Sequence, residues 1–248
     1  MCKTIIIQVS VGNTYGYVYR SDQSPKAKEA STLFEKHCIA SVKRYCKKHN
    51  YDYKMITEYP TDIDILFFNK STKGKDHDYS SGGKNKCSTL IRYLNMDQPD
   101  YDNIVILDND IWIPEWAESL PEINGHHGVT DIGKQWNAPH FISFINGGVQ
   151  MVNRKAGLSL HKFVKDKCIK KVLPSPHTDQ VYMNEWRSQY PYLCYMLDKK
   201  WNFMVGCYPR TEDYTKYNFI HYAGWDARTI LIEDVKKGII KSRDILLQ

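Results

Sequence analysis

The stretch from residue 103 to residue 116, where an apolar run meets two acids, most constrains what this chain can fold into. Residues 104–107 form a short apolar run in which most residues are β-branched. Such a run is typical of a strand covered on both faces in a parallel sheet. Asp108 and Asp110 follow directly, so we expect both carboxylates at the carboxyl end of that strand, where open α/β sheets bind ligands. Two such acids suit Mg²⁺ or Mn²⁺. A plain turn explains the same residues, since Asp and Asn often bond the local backbone after a strand.

Length and composition favour a single α/β domain. The chain has 248 residues, of which 42% are hydrophobic and 13% aromatic, and this is enough for a full core. Its formal net charge of +6 is spread along the chain and suits anionic ligands such as nucleotide diphosphates. We expect no nucleic-acid partner, because no basic stripe with interleaved aromatic residues is present.

The cysteines and the apolar runs bear on location. The seven cysteines form no CxxC pair, so we expect reduced thiols in a soluble, cytoplasmic protein. The first apolar run is too short for a signal peptide, and no later run approaches the ~20 residues of a transmembrane segment. A truncated membrane-anchored form stays open, and the oligomeric state is not indicated.

The order of the elements predicts a β-α-β beginning. Residues 4–9 have the pattern of a strand, residues 26–50 that of a helix and residues 53–56 that of a second strand, which predicts a parallel sheet with a right-handed crossover. Further along we expect a polar loop at 69–85, a helix at 88–94, an irregular stretch at 118–138, a helix at 156–167 and a basic surface helix at 232–247.

Three further local signals each allow a plain structural explanation. Gly147 and Gly148 interrupt an apolar block, which indicates either a simple bend or a place where a ligand approaches the backbone. Asp179 follows Thr178 at a helix start, where capping and the helix dipole alone favour an acid. His221 follows an apolar pair, and in that pattern a packed histidine is more common than a metal ligand.

Taken in order, these segments resemble the GT-A glycosyltransferases, closest to the retaining family 8 group of glycogenin and lipopolysaccharide galactosyltransferases. The resemblance is carried by LDND at 107–110, INGGVQMVN at 145–153, TDQVYMN at 178–184 and HYAGW at 221–225, with SVGNTY at 10–15 as an approximate base-binding loop. It implies a single GT-A domain over residues 1–248, with a mixed, mainly parallel, Rossmann-like central sheet flanked by helices. The nucleotide-binding part would span about 1–115 and the acceptor-binding part about 116–248.

The resemblance also implies roles for individual residues. Asp108, Asp110 and His221 become ligands of Mn²⁺ or Mg²⁺, and Asp179 and Gln180 become the catalytic residues. The residues implied to bind the nucleotide-sugar donor are Ser10, Asn13, Tyr15, Lys86, Asn109, Gly147, Gly148, Gly224 and Arg228. Arg228 takes the place of a lysine in the family's Lys-Pro-Trp continuation, which this sequence lacks.

The function that the resemblance implies is metal-dependent transfer of a sugar from a nucleotide-diphosphate sugar, with UDP-sugar favoured, to a glycan or other hydroxyl acceptor. Retention of anomeric configuration is favoured, although the missing lysine leaves the outcome open. An acceptor sugar would stack on one of Trp112, Trp136, Trp186, Trp201 and Trp225, most of which we expect in the core. The alternatives are a nucleotidyltransferase, for which VGNTYGYVYR is a poor signature loop, and a non-catalytic nucleotide-sugar or carbohydrate-binding module.

Overall fold

A six-stranded sheet lies at the centre of the computed structural model, which describes residues 2–10, 29–30, 32–58, 91–130, 144–169, 178–209, 213–223 and 225–240. The strand order is β2-β1-β3-β6-β5-β7. These strands are β1 (Thr4–Val9), β2 (Asp52–Ile56), β3 (Asn103–Leu107), β5 (His126–Gly128), β6 (Val149–Asn153) and β7 (Cys194–Met196). The loop expected at 69–85 falls outside the described residues.

The pairing confirms the predicted mixed, mainly parallel sheet. Strand β1 pairs in parallel with both β2 and β3, and β5 pairs in parallel with β7. Strand β6 runs antiparallel to its two neighbours, β3 and β5. The carboxyl ends of the other five strands therefore share one edge of the sheet with the amino end of β6.

Helices cover both faces of this sheet, as the apolar strands require. They are α1 (Ala40–His49), which continues a π-helical segment (Phe34–Ile39), α2 (Arg154–Ile169) and α3 (Thr178–Gln189). Ile5 and Ile7 of β1 belong to one buried cluster with Trp186 of α3, whereas Ile6 belongs to another with Val42 of α1. Each such side chain contributes about 1.5–3 kcal/mol on burial, so the alternation along β1 fixes the strand between two helical layers.

A second, three-stranded sheet brings the C-terminal part of the chain to the acidic strand end. It consists of β4 (Ile111–Trp112), β8 (Phe203–Met204) and β9 (Ile220–His221), in the order β4-β9-β8. Strand β9 runs antiparallel to β4 with His221 opposite Ile111. Helix α4 (Trp225–Lys236) follows and packs onto this sheet through Ala227 and Leu231.

Two sequence predictions were wrong. The stretch at 118–138 is not wholly irregular, because it contains β5, whose His126 is completely buried between β6 and β7. The last helix begins at Trp225 rather than at residue 232 and ends at Lys236, just before Gly238 with its φ of +69°. It is also no mere surface element, since Leu231 and Asp234 are fully buried.

Three remaining expectations concern tryptophans, cysteines and membrane segments. Trp112, Trp186 and Trp201 lie in the core, whereas the side chains of Trp136 and Trp225 fall outside the description. Among the described residues, Cys2, Cys38, Cys46 and Cys194 are free thiols. Among the described helices, none combines the length and apolar character needed to cross a membrane.

Candidate metal centre

Asp108 and Asp110 lie where the apolar strand β3 ends, as the sequence predicts. The backbone N–H of Asp108 donates to the Gly148 carbonyl (2.8 Å), and the Asp108 carbonyl accepts from the buried Gln8 amide (3.0 Å). The Asp110 carbonyl accepts from the backbone N–H of Tyr222 (3.0 Å). The backbone that carries both carboxylates is therefore tied to β1, to the start of β6 and to the end of β9.

His221 lies beside both acids although it is more than a hundred residues away in the chain. Its Nε2 is 3.2 Å from Asp110 Oδ1 and 3.7 Å from Asp108 Oδ2. One ligand atom from each of the three residues lies within 4.8 Å of the others. The β4–β9 register produces this geometry, since it places His221 opposite the residue that follows Asp110.

The three side chains fit a divalent cation. Asp110 is only 6% exposed, and apart from the His221 ring nitrogen at 3.2 Å its Oδ1 has no hydrogen-bond donor among the described residues. A buried carboxylate oxygen without a donor is costly unless a cation compensates it. Two carboxylates and one imidazole nitrogen form a donor set used by divalent metal ions in proteins.

Gly148 makes room for the histidine. It lies in the turn that precedes β6. A Cβ added to Gly148 would lie 2.2 Å from Cε1 and 2.7 Å from Nδ1 of His221, distances at which real Cβ atoms are essentially never found. The close approach in this structure is thus between the glycine and the imidazole ring.

Arg92 is the site residue that sequence reasoning missed. It lies in the helical segment at 91–94, is 6% exposed, and its Nη1 is 2.8 Å from Asp108 Oδ1 and 3.0 Å from the Gly147 carbonyl oxygen. A signal was present, because the arginine stands between two apolar residues, Ile91 and Tyr93, just ahead of the acidic strand. Lys86, which the resemblance placed near the donor, lies outside the described residues.

The peptide group of Gly147 is held from both sides. Its N–H donates to the side-chain oxygen of Gln180 on α3 (3.0 Å), and its carbonyl accepts from Arg92 and from Gln150 Nε2, both at 3.0 Å. Gln180 is thereby bonded to the turn whose next residue, Gly148, lies against the His221 ring. Asp179 is the second residue of α3, and its side chain falls outside the description.

A buried chain of hydrogen bonds runs from Arg187 through His126 to Gln150, which donates to the Gly147 carbonyl. Arg187 Nη1 donates to Nδ1 of His126 (2.7 Å), whose Nε2 donates to Gln150 Oε1 (3.2 Å). Burial and then the charge of Arg187 hold the pKa of His126 well below its usual value, and the same causes lower the pKa of His127 to about 4. His126 therefore stays neutral, and its proton lies on the nitrogen that faces Gln150.

Three of the other residues implied by the resemblance to bind the donor are described by the structure. Ser10 follows β1, and its N–H donates to the Ile56 carbonyl (2.8 Å). Asn109 is buried between the two acids and donates from Nδ2 to the Val9 carbonyl (2.8 Å). Arg228 lies in the first turn of α4 and is 8% exposed. Asn13, Tyr15 and Gly224 fall outside the described residues.

Comparison with known proteins identifies the fold. No protein-family model matches the sequence, and no curated protein does. Among solved structures, a glycosyltransferase involved in glycosylation of the major capsid of PBCV-1 is 20% identical, with a TM-score of 0.52 over 94% of this chain and 99% of that chain. The bifunctional glycosyltransferase WbbM, in its apo form, is 17% identical, with a TM-score of 0.53 over 97% of this chain and 52% of its own. The chain therefore has the GT-A fold found in glycosyltransferases.

Proposed function

We propose that this protein is a metal-dependent glycosyltransferase that moves a sugar from a nucleotide-diphosphate sugar, with UDP-sugar favoured, to a hydroxyl of a glycan or other acceptor. The observation that carries the proposal is the convergence of Asp108, Asp110 and His221 at the strand edge of a GT-A fold, with ligand atoms within 4.8 Å of one another. In open α/β sheets this edge is where ligands bind.

The donor set favours Mn²⁺ over Mg²⁺. Mg²⁺ is usually held by oxygen ligands alone, whereas an imidazole nitrogen suits first-row transition ions. Asp108, Asp110 and His221 would hold the ion. Once bound, it would supply a Lewis acid that neutralises the charge of the departing diphosphate.

Residues around the ion would position the donor. Arg92 adds a fixed positive charge beside Asp108, in reach of a second anionic or hydroxyl group of the donor. The oxygen of Gln180 is oriented by the Gly147 N–H, and a carbonyl oxygen keeps a second lone pair that can stabilise an electron-poor sugar carbon. We assign Asp179 and Gln180 as the catalytic residues. Retention of anomeric configuration is favoured by the resemblance to family 8.

The chain is proposed to divide into a nucleotide-binding part and an acceptor-binding part. Residues 1–115 would bind the nucleotide and residues 116–248 the acceptor. Ser10, Asn13, Tyr15, Lys86, Asn109, Gly224 and Arg228 are proposed to contact the donor. The free cysteines among the described residues fit a reducing compartment such as the cytoplasm.

A thermal-shift screen of UDP-, GDP- and dTDP-sugars, each with and without Mn²⁺, tests this function. A ligand present at a hundred times its Kd stabilises the native state by about 2.7 kcal/mol, which raises the Tm of a chain of this size by about 5–10 °C. We expect the largest shift for UDP-sugars, and only with Mn²⁺. The proposal is wrong if no nucleotide sugar shifts the Tm under either condition.

Turnover then separates the alternatives. Release of UDP with transfer to an acceptor supports the transferase, whereas release of pyrophosphate from a nucleoside triphosphate and a sugar phosphate supports a nucleotidyltransferase. Tight nucleotide-sugar binding with neither transfer nor hydrolysis across a broad acceptor panel supports a binding module.

A further inference from the structure

We propose that Asn202 is a positioning residue that fixes the tautomer of His221, so that the unprotonated Nε2 faces Asp108 and Asp110. The inference rests on the proposed function only in giving this tautomer a purpose, which is to present a metal ligand. Asn202 lies between the short helical turn Lys199–Trp201 and β8, and it is completely buried. No step of the proposed function uses it.

The backbone N–H of Gly148 fixes the orientation of the first side chain in this set, Asn146. The N–H of Gly148 lies 2.8 Å from the side chain of Asn146. Because a backbone N–H can only donate, the Asn146 atom that faces it must be the acceptor oxygen, Oδ1. The orientation of the Asn146 amide is therefore set by the backbone.

The same oxygen then orients Asn202. The Asn202 side chain approaches Asn146 Oδ1 at 3.0 Å, in a buried contact. An oxygen that accepts needs a donor opposite it, so the Asn202 atom at this contact must be Nδ2. It follows that the other end of the Asn202 amide, Oδ1, is the end that faces His221.

The orientation of Asn202 decides where the proton of His221 lies. Asn202 Oδ1 is 2.9 Å from Nδ1 of His221, and since an amide oxygen only accepts, Nδ1 must carry the proton. In the neutral imidazole Nε2 then presents a lone pair, 3.2 Å from Asp110 Oδ1. Two lone pairs at this distance repel each other, whereas a cation between them attracts both.

The whole chain thus runs in one direction, from the Gly148 backbone through Asn146 and Asn202 to His221. Hydrogen bonds of this kind behind a metal-binding histidine set its tautomer and raise its basicity. A purely structural role for Asn202 would require only that its buried polar atoms have partners. The two roles differ in what happens to the imidazole when the acceptor oxygen is removed.

The direct test reads the tautomer without any metal. Two-bond ¹H–¹⁵N correlation spectra of ¹⁵N-histidine-labelled protein at pH 8, with chelator present, distinguish Nδ1-protonated from Nε2-protonated imidazole, and His221→Gln identifies the His221 signals. We expect the Nδ1-protonated form in the wild type. In Asn202→Leu we expect the proton to move to Nε2, where it can be donated to Asp110.

The second readout is the Kd for Mn²⁺ alone, measured by electron paramagnetic resonance. Loss of a residue that orients a ligand costs about 10–100-fold in metal affinity, and we expect a loss in this range for Asn202→Leu. Asn202→Asp keeps an oxygen that accepts from Nδ1 and should restore the Nδ1-protonated form. Its second oxygen cannot donate to Asn146 Oδ1, so its Tm should stay below the wild-type value.

Asn218→Leu is the matched control. Asn218 is also buried, at 5% exposure, and bonds through both ends of its amide, but to Glu118 rather than to His221. It should lower the Tm while leaving the His221 tautomer and the Kd for Mn²⁺ unchanged.

Three results would overturn the inference. They are an Nε2-protonated or doubly protonated His221 in the wild type, an unchanged tautomer in Asn202→Leu, and a Kd in that variant equal to the wild-type value. If the wild type binds no Mn²⁺ at all, the metal-dependent function fails, while the tautomer measurement still decides the role of Asn202.

Discussion

Replacing Gly148 with alanine should remove His221 from the metal centre. The new Cβ would lie 2.2 Å from Cε1 of His221. Since real Cβ contacts start at about 3.0 Å, the two groups must separate by at least about 0.8 Å. The imidazole cannot simply rotate away, because it is 2% exposed and its Nδ1 is bonded to Asn202.

Such a displacement is large on the scale of metal coordination. Ligand distances are normally kept to within about 0.2 Å, so a shift several times larger takes Nε2 out of the ligand set and leaves the two carboxylates. We expect Mn²⁺ to bind at least about tenfold more weakly, by comparison with the 10–100-fold cost of disturbing groups behind a ligand. Overpacking should also cost about 1–3 kcal/mol of the free energy of unfolding.

The assay is titration of metal-free protein with Mn²⁺, followed by electron paramagnetic resonance, together with the Tm. Gly157→Ala is the control, because Gly157 lies within α2, where the added Cβ would come no closer than 3.1 Å to Val152 Cγ2. That variant should keep the wild-type Kd. If Gly148→Ala also keeps the wild-type Kd for Mn²⁺, His221 does not need the space beside Gly148 in order to bind the metal. That result would refute the prediction.

Three further predictions concern charge and burial. Arg92→Ala leaves Asp108 without its 2.8 Å ion-pair partner and should lower the free energy of unfolding by about 3 kcal/mol, as for other broken buried pairs. Mn²⁺ should raise the Tm of this variant by more than it raises the Tm of the wild type, and equal rises would contradict the ion pair between Arg92 and Asp108. Asp234→Ala removes the acceptor of two buried tyrosine hydroxyls, at 2.7 and 2.9 Å, and should cost about 2–5 kcal/mol in urea unfolding, whereas a near-neutral result would show that the contact is dispensable. His127 has a pKa of about 4 when folded but about 6.5 when unfolded, so the unfolded chain binds more protons between these values and stability should fall as the pH falls from 6.5 to 4. In the His127→Asn variant the free energy of unfolding should fall less steeply with falling pH, and the two slopes should differ by at most about 1.4 kcal/mol per pH unit. Identical slopes would show that His127 does not titrate in this way.

The sequence was most informative where the determinants are local. The apolar run before Asp108 lies in a strand with both faces covered because the run itself is continuous and β-branched. The position of the acids at the strand end follows from their place in the chain. The end of α1 at Asn50, which adopts a left-handed conformation, is equally local.

Contacts between distant segments could not be obtained in that way. The proximity of His221 to Asp110 depends on the register of β9 against β4, and only the family resemblance suggested it. Strand β5 was missed because His126 and His127 show no apolar alternation, and their burial comes from pairing with β6 and β7. The first turn of α4 was missed because charged residues, Asp226 and Arg228, alternate with apolar ones there, although Ala227 packs into the core.

Arg92 shows a third kind of limit. A buried arginine is stabilised by a carboxylate that the sequence does not identify, and the partner here is Asp108, sixteen positions later in the chain. The same holds for the glycine pair, since the reason for Gly148 lies in a histidine ring from the other end of the chain.

The most direct test of the central claim is the rate of UDP release from UDP-sugars with Mn²⁺ and after its removal by a chelator. We predict that release requires the metal and falls by about 10²–10³-fold in Asp108→Asn and in Asp110→Asn, as when other electrostatic stabilisation of a transition state is lost. Asp102→Asn changes an acid outside the site, which accepts from the backbone N–H of Lys3, and should keep the wild-type rate. An unchanged rate in both site variants, or full release without metal, would contradict the claim that Asp108 and Asp110 hold a catalytic cation.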